Sequence, residues 1–204
     1  MSYFKHSIDS RVDYTLILPV ICLLIFGITA IYIAVSHDYP ASAWAIVGQQ
    51  IAWITLGVVI SFVVMFFNTK FLWQMTPLLY IFGLGLMVLP LVFYSPTLVA
   101  STGAKNWVTI GGTTLFQPSE FMKISYILML SRSVVQFSQR HKEKVRTLGM
   151  DWLLILELFL YTIPVLLLLT LQSDLGTALV FLAIFSGIIL LSGVSWKIII
   201  PVFV

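Results

Sequence analysis

The sequence predicts an all-α polytopic membrane protein with six transmembrane helices, the start of a seventh, and a cytoplasmic N-terminus. Three observations predict it. The first is composition: of 204 residues, 60% are hydrophobic and 9% charged, with mean hydropathy +1.05, against about 45–50% apolar and about 25% charged in soluble domains. Too little polar material is present to cover a water-facing surface, which excludes a soluble enzyme. The second is run length, because the apolar stretches approach the roughly 20 residues a helix needs to cross about 30 Å of hydrocarbon. The third is the placement of the basic residues, which fall almost entirely on one side of those stretches.

The apolar runs lie at about 14–35, 44–67, 72–94, 118–139, 152–171 and 176–192, and a seventh begins at Ile198. The first run is too long for a signal-peptide core and no small-residue cleavage site follows it, so it reads as a retained anchor. It holds Cys22, the only cysteine, which can form neither an internal disulfide nor a zinc cluster. Gln49 and Gln50 begin the second run near its outer edge. Gly83 and Gly85 in the third, and Gly187 and Gly193 near the sixth, read as close-packing sites between helices. The residues from Ile198 to Val204 reach only about 10 Å, so the sequence reads as truncated. No internal repeat is evident, and 1–204 reads as a single transmembrane domain.

With the N-terminus inside, the cytoplasmic side holds Lys5, Arg11, Lys70, Arg132, Arg140, Lys142, Lys144, Arg146 and Lys197. Lys105 alone lies outside and Lys123 within a span, a bias that fixes orientation. The net charge of +3 and pI near 9.0 thus reflect topology, and a nucleic-acid partner is not expected. The stretch 140–151 reads as a solvated basic loop with some attraction for anionic lipid. The outside loop, 95–117, carries Ser101, Thr102, Gly103, Gly111, Gly112, Thr113 and Thr114 around apolar spots at Trp107, Val108 and Ile110. Such a loop suits the interface, and Trp107 reads equally as a headgroup-level anchor. His6, His37 and His141 are scattered without metal-ligand spacing, and no Walker A, GxGxxG or GxSxG motif appears.

Charge inside a span costs roughly 2.5–3.5 kcal/mol and points to function. Gln117-Pro118-Ser119-Glu120 opens the fourth span, with Pro at the first helical position and a carboxylate in the first turn. Lys123 follows Glu120 by three residues, so the two share a face and can pair; the plainer reading is a helix-start carboxylate with a snorkelling Lys. Asp174 sits in Gln172-Ser173-Asp174-Leu175-Gly176-Thr177, where it reads either as a cap for the sixth span or as a site carboxylate. Topology places Glu120, Lys123, Asp174 and the Lys105 loop in the outer half of the bilayer, where they can converge on a headgroup phosphate. Arg132 and Glu157 fall at similar depth on antiparallel spans and are expected to form a structural ion pair.

Gly103-Ala104-Lys105-Asn106-Trp107, Gln117-Pro118-Ser119-Glu120-Phe121-Met122-Lys123 and Gln172-Ser173-Asp174-Leu175-Gly176-Thr177 resemble, in order and spacing, the signature of the SEDS family of bacterial shape, elongation, division and sporulation proteins. The resemblance is closest to the rod-shape branch and covers about half of a ten-helix SEDS fold. It implies a peptidoglycan glycosyltransferase that polymerises glycan strands from lipid II at the bacterial cytoplasmic membrane, beside a class B penicillin-binding protein and other elongation-machinery membrane proteins. It further implies that Glu120, Lys123 and Asp174, with Lys105, Gln117 and Ser119, bind the lipid-linked pyrophosphate, with a divalent cation as a candidate cofactor and no organic one. The general base it implies is an aspartate beyond residue 204, so the chain by itself is expected to be inactive. Asn106 stands where many members carry Arg, and Ser173 where many carry Pro. A lipid II flippase and a non-catalytic scaffold are the competing readings.

Overall fold

The computed structural model describes residues 14–38, 40–111, 113–141, 147–195 and 198. Lys5, His6, Arg11, most of the basic loop, Lys197 and the seventh run after Ile198 lie outside the described residues. Among the described residues the elements follow in order: α1 (Tyr14–Asp38), α2 (Ala43–Met65), α3 (Thr69–Val92), α4 (Pro96–Thr102), β1 (Val108–Ile110), β2 (Thr113–Phe116), α5 (Pro118–Arg140), α6 (Leu148–Leu171) and α7 (Leu175–Leu191). All six expected spans are helical. Four of them, α1, α2, α3 and α6, are long and apolar enough to cross a membrane. The fifth, α5, has the length but carries Glu120, Lys123, Arg132 and Arg140. The 17 residues of α7 give about 25 Å of helix.

The chain divides into two compact units, Met1–Thr69 and Lys70–Val204. In the first, α1 packs on α2, and the rings of Tyr32 and Trp44 lie 5.3 Å apart. Leu23, Phe26, Val59 and Phe62 point outward, as side chains do when the solvent is lipid.

In the second unit α5, α6 and α7 pack mutually. Met122, Tyr126, Met129, Leu130 and Phe137 recur on α5 at helical spacing and are buried against Leu158, Val165, Leu169 and Phe181. Polar pairs cross this core. The Tyr126 hydroxyl meets Thr162 Oγ1 at 2.7 Å, and Ser133 Oγ donates to Glu157 Oε1 at 2.7 Å; these two pairs run in opposite chain directions, so α5 and α6 are antiparallel.

Helix α3 approaches α5 at Gly83, where a Cβ would lie 2.7 Å from Met122 Sδ and 3.0 Å from Ser125 Oγ. A side chain at Gly83 therefore collides with α5. Gly85 and Gly187, expected to be packing sites too, have open space around them, and Gly193 instead adopts φ +73 just after α7.

Three prolines lie inside described helices of this unit, and near each of them a side chain from elsewhere donates to a backbone carbonyl. A proline at position i removes the N–H that the carbonyl at i−4 would accept. Pro77 releases the Trp73 carbonyl, to which Arg132 Nη1 donates. In the turn before Pro90, Gln172 Nε2 donates to the Met87 carbonyl at 2.6 Å. In the turn before Pro164, the Tyr80 hydroxyl donates to the Tyr161 carbonyl at 2.5 Å.

The first of these contacts overturns the expected ion pair between Arg132 and Glu157. The depth is right, since Ser133, the next residue, does reach Glu157. The face is wrong, because successive residues on a helix point about 100° apart. Tyr126, Ser133 and Arg140, spaced by seven, look toward α6, and Arg140 Nη2 lies 3.2 Å from Glu157 Oε1. Phe121 and Arg132 look toward α3, Phe121 against Phe82 and Arg132 over the Trp73 ring at 5.4 Å.

Gly83→Leu should destabilise the purified chain in detergent by about 1–3 kcal/mol through overpacking, while Gly85→Leu should leave its thermal midpoint within a degree or two. Double-mutant cycles should find coupling of about 0.5–1.5 kcal/mol between Ser133 and Glu157 and none between Arg132 and Glu157. Replacing Pro77 by Ala restores a helical donor to the Trp73 carbonyl, so removing Arg132 should cost less in that background than in the native one.

Candidate functional site

The loop between α3 and α5 is more regular than its composition suggests. Ser95 caps α4, its Oγ accepting from Leu98 N at 3.4 Å with Pro96 in the first turn. Gly103 closes α4 at φ +75, a left-handed conformation that costs glycine nothing. The chain then forms a small antiparallel hairpin pairing Val108 with Phe116 and Ile110 with Thr113, with Gly111 at φ +61 in the turn. Thr109 N donates to the Phe93 carbonyl at 3.0 Å, fixing the hairpin to the end of α3.

The turn between α6 and α7 completes this end of the bundle. Asp174 N donates to the Leu169 carbonyl and Ser173 N to the Thr170 carbonyl, each at 3.0 Å, which is the paired bonding of a Schellman motif. Its left-handed position is occupied by Ser173 at φ +59, where glycine is usual. A proline, which needs φ near −65°, does not fit that backbone. Asp174 then starts α7 at once, Oδ1 accepting from Thr177 N at 3.0 Å.

Asp174 also draws the three sequence blocks together. Its Oδ2 accepts from Asn106 Nδ2 at 2.7 Å, Gln117 Nε2 at 3.3 Å and Thr177 Oγ1 at 2.8 Å. Gln172 reinforces the junction from below: buried to 1% exposure, it accepts from Lys105 N at 2.8 Å through its carbonyl while its amide reaches Met87. The cap reading and the site reading of Asp174 are therefore the same geometry.

The remaining expected residues are placed around this hub. Lys123 Nζ contacts both Glu120 oxygens, at 2.8 and 2.9 Å, beside the buried stripe of α5. The Lys123 side chain is 26% exposed and that of Glu120 61%. Lys105 Nζ lies 4.7 Å over the Tyr94 ring. Ser119 is buried, and its Oγ, like Asn106 Oδ1 and Thr109 Oγ1, has no partner among the described residues. The Gln117 and Asn106 side chains thus bond to Asp174 and Lys105 N to the neighbouring Gln172 carbonyl, whereas Glu120 and Lys123 bond to one another and not to the hub. Among the described residues no three His, Cys, Asp or Glu side chains cluster closely enough to hold a metal. Asn106 and Gln172 are the members that sequence reasoning passed over, though both stand inside the blocks that drew attention.

Apolar helices and a polar, cross-linked turn cluster define a multi-pass helical membrane protein with an ordered site at one end of its bundle. A family model described as a cell cycle protein, labelled for FtsW, RodA and SpoVE, matches residues 12–204, and the chain belongs to that family, the SEDS proteins. The peptidoglycan glycosyltransferase MrdB of Escherichia coli strain K12 is 31% identical over 193 residues, 93% of this chain and 46% of the relative. The peptidoglycan glycosyltransferase RodA of Treponema pallidum is 29% identical over 201 residues, 95% and 41% respectively. The probable peptidoglycan glycosyltransferase FtsW of Nitrosomonas europaea is 28% identical over 195 residues, 93% and 48%. The chain thus spans less than half the length of these relatives. No solved structure matches it.

Ser173→Gly should raise the thermal midpoint, by relief of about 1 kcal/mol of left-handed strain, and Ser173→Pro should lower it further than Gly raises it. Asp174→Ala should speed amide hydrogen exchange across residues 105–116 relative to the α5–α6 core, because two of the contacts it loses, to Asn106 and Gln117, hold the loop and α5 to the turn.

Proposed function

We propose that this chain forms part of a peptidoglycan glycosyltransferase that takes lipid II as donor, serving cell elongation beside a class B penicillin-binding protein and other elongation-machinery membrane proteins. The observation that supports it most is the meeting of three separate sequence blocks at Asp174, in a family whose named relatives are glycosyltransferases of peptidoglycan. The hub lies at the end of the bundle remote from Arg140, the end that the distribution of basic residues puts outside the bacterial cytoplasmic membrane.

In this reading the cations do the binding. Lys123 is a compact charge oriented by Glu120, and an arriving pyrophosphate exchanges one ion pair for a stronger charge-assisted contact. Lys105, its backbone fixed to Gln172, supplies a second cation from the hairpin side. Gln117 and Ser119 set the first turn of α5 from which Lys123 projects. Asp174 acts as an organiser: with four donors on its two oxygens it has little capacity left to take a proton from a sugar hydroxyl. The general base is assigned to a carboxylate other than Asp174, beyond residue 204.

In the full-length protein, Lys123→Ala should reduce glycan polymerisation from lipid II by about 10- to 100-fold, the value of one charge-assisted contact, with Lys123→Arg recovering part of it. Product lengths on gels would measure this, and undiminished synthesis by the Lys123 and Asp174 variants would remove both from the substrate site.

A further inference from the structure

At the other end of the second unit, a pair of cations stands without a counter-charge. Arg132 has no carboxylate within 4.0 Å among the described residues. Its Nη1 serves the Trp73 carbonyl, and with the Gln136 amide oxygen turned toward it, Nη2 and Nε donate at 3.3 and 3.2 Å. These partners satisfy donors but carry no charge. Arg140, by contrast, is neutralised by Glu157. Lys70 is exposed and forms no ion pair among the described residues. It precedes Trp73 by three residues, so it stands on the same face of α3, one turn nearer the helix end.

The arrangement has the depth and chemistry of a headgroup site. Trp73 lies about 6 Å along α3 from its start at Thr69, the level that indoles favour between hydrocarbon and water. The guanidinium stacks over that indole at 5.4 Å, which leaves its plane fixed and an edge available for a phosphate. An uncompensated cation at this depth is costly, and a phosphodiester at the same level removes the cost. We propose that Lys70, Trp73 and Arg132 form a binding site for the phosphate of an anionic phospholipid, on the face where α3 meets α5. Two cations against one phosphodiester favour a lipid with net negative charge over a zwitterionic one. The site is separate from the Asp174 hub and does not depend on the glycosyltransferase reading.

The chain, purified in detergent, would be titrated with phosphatidylglycerol, with phosphatidylcholine of the same acyl chains, and with inorganic phosphate. Bound lipid would be counted by native mass spectrometry and the thermal midpoint followed. Phosphatidylglycerol should be retained and raise the midpoint, phosphatidylcholine should do so at least fivefold more weakly, and inorganic phosphate should do neither. Lys70→Gln should weaken phosphatidylglycerol retention several-fold without altering the lipid-free midpoint, since Lys70 is exposed and forms no ion pair among the described residues. Arg132→Gln with Lys70→Gln should abolish the preference. Equal retention by Lys70→Gln and the native chain, equal retention of the two lipids, or a matching shift with inorganic phosphate would overturn the proposal.

Discussion

A backbone carbonyl that has lost its helical donor must find another inside the protein, because lipid offers none. Much of the second unit is arranged around that constraint. Pro77 takes the helical donor from the Trp73 carbonyl and Arg132 replaces it, while Gln172 and Tyr80 donate to the Met87 and Tyr161 carbonyls in the turns before Pro90 and Pro164. All three links involve α3: two end on its carbonyls and the third leaves from its tyrosine. Helix α3 is therefore joined to the α5–α6–α7 core at points its own backbone defines, with Gly83 allowing the approach that makes those reaches short.

The same constraint shapes the polar end. The carbonyls at the C-terminus of α6 are satisfied by the Schellman pairing and, at Gln172, by Lys105 N from the loop. The first amides of α7 face the opposite need, and Asp174 answers it with Thr177. One short turn thus ends a helix, starts another and leaves a carboxylate oxygen directed at Asn106 and Gln117. Helix termination supplies the geometry for which the site residues are used, so the turn cannot be varied for stability without moving the site.

Helix existence was legible from composition and run length, since a chain so poor in charge has few ways to satisfy its backbone. The ends of the helices and the Glu120-Lys123 contact follow from local spacing, which a helix converts directly into proximity. The hairpin was legible in principle, because Gly111-Gly112 stands between Val108-Thr109-Ile110 and Thr113-Thr114-Leu115-Phe116, but the surrounding threonines and glycines also read as plain loop. The partner of Arg132 was not legible. Depth can be counted along two antiparallel spans, whereas the facing direction depends on how a third helix packs, and one residue of error turns a side chain by about 100°. Asn106 and Gln172 escaped for a related reason: neutral amides carry no charge to flag them, and their importance appears only once a carboxylate and an interrupted helix lie within reach.

The energetics of these links are asymmetric, and that asymmetry explains why they can organise a site. Side-chain hydrogen bonds between helices in a membrane contribute about 0.6 kcal/mol on average, so three of them add little to total stability. Breaking the Arg132 link leaves the Trp73 carbonyl without a donor in hydrocarbon, at a cost of several kcal/mol. Their effect is to exclude alternatives rather than to bind tightly. A rotated α3 strands the Trp73 carbonyl and a shifted α6–α7 turn takes the buried Gln172 amide from Met87, so the two links favour one register even though each bond is weak. The hub in turn fixes the Lys105 backbone and the start of α5, so the frame from which the Lys105 and Lys123 side chains project stays in place.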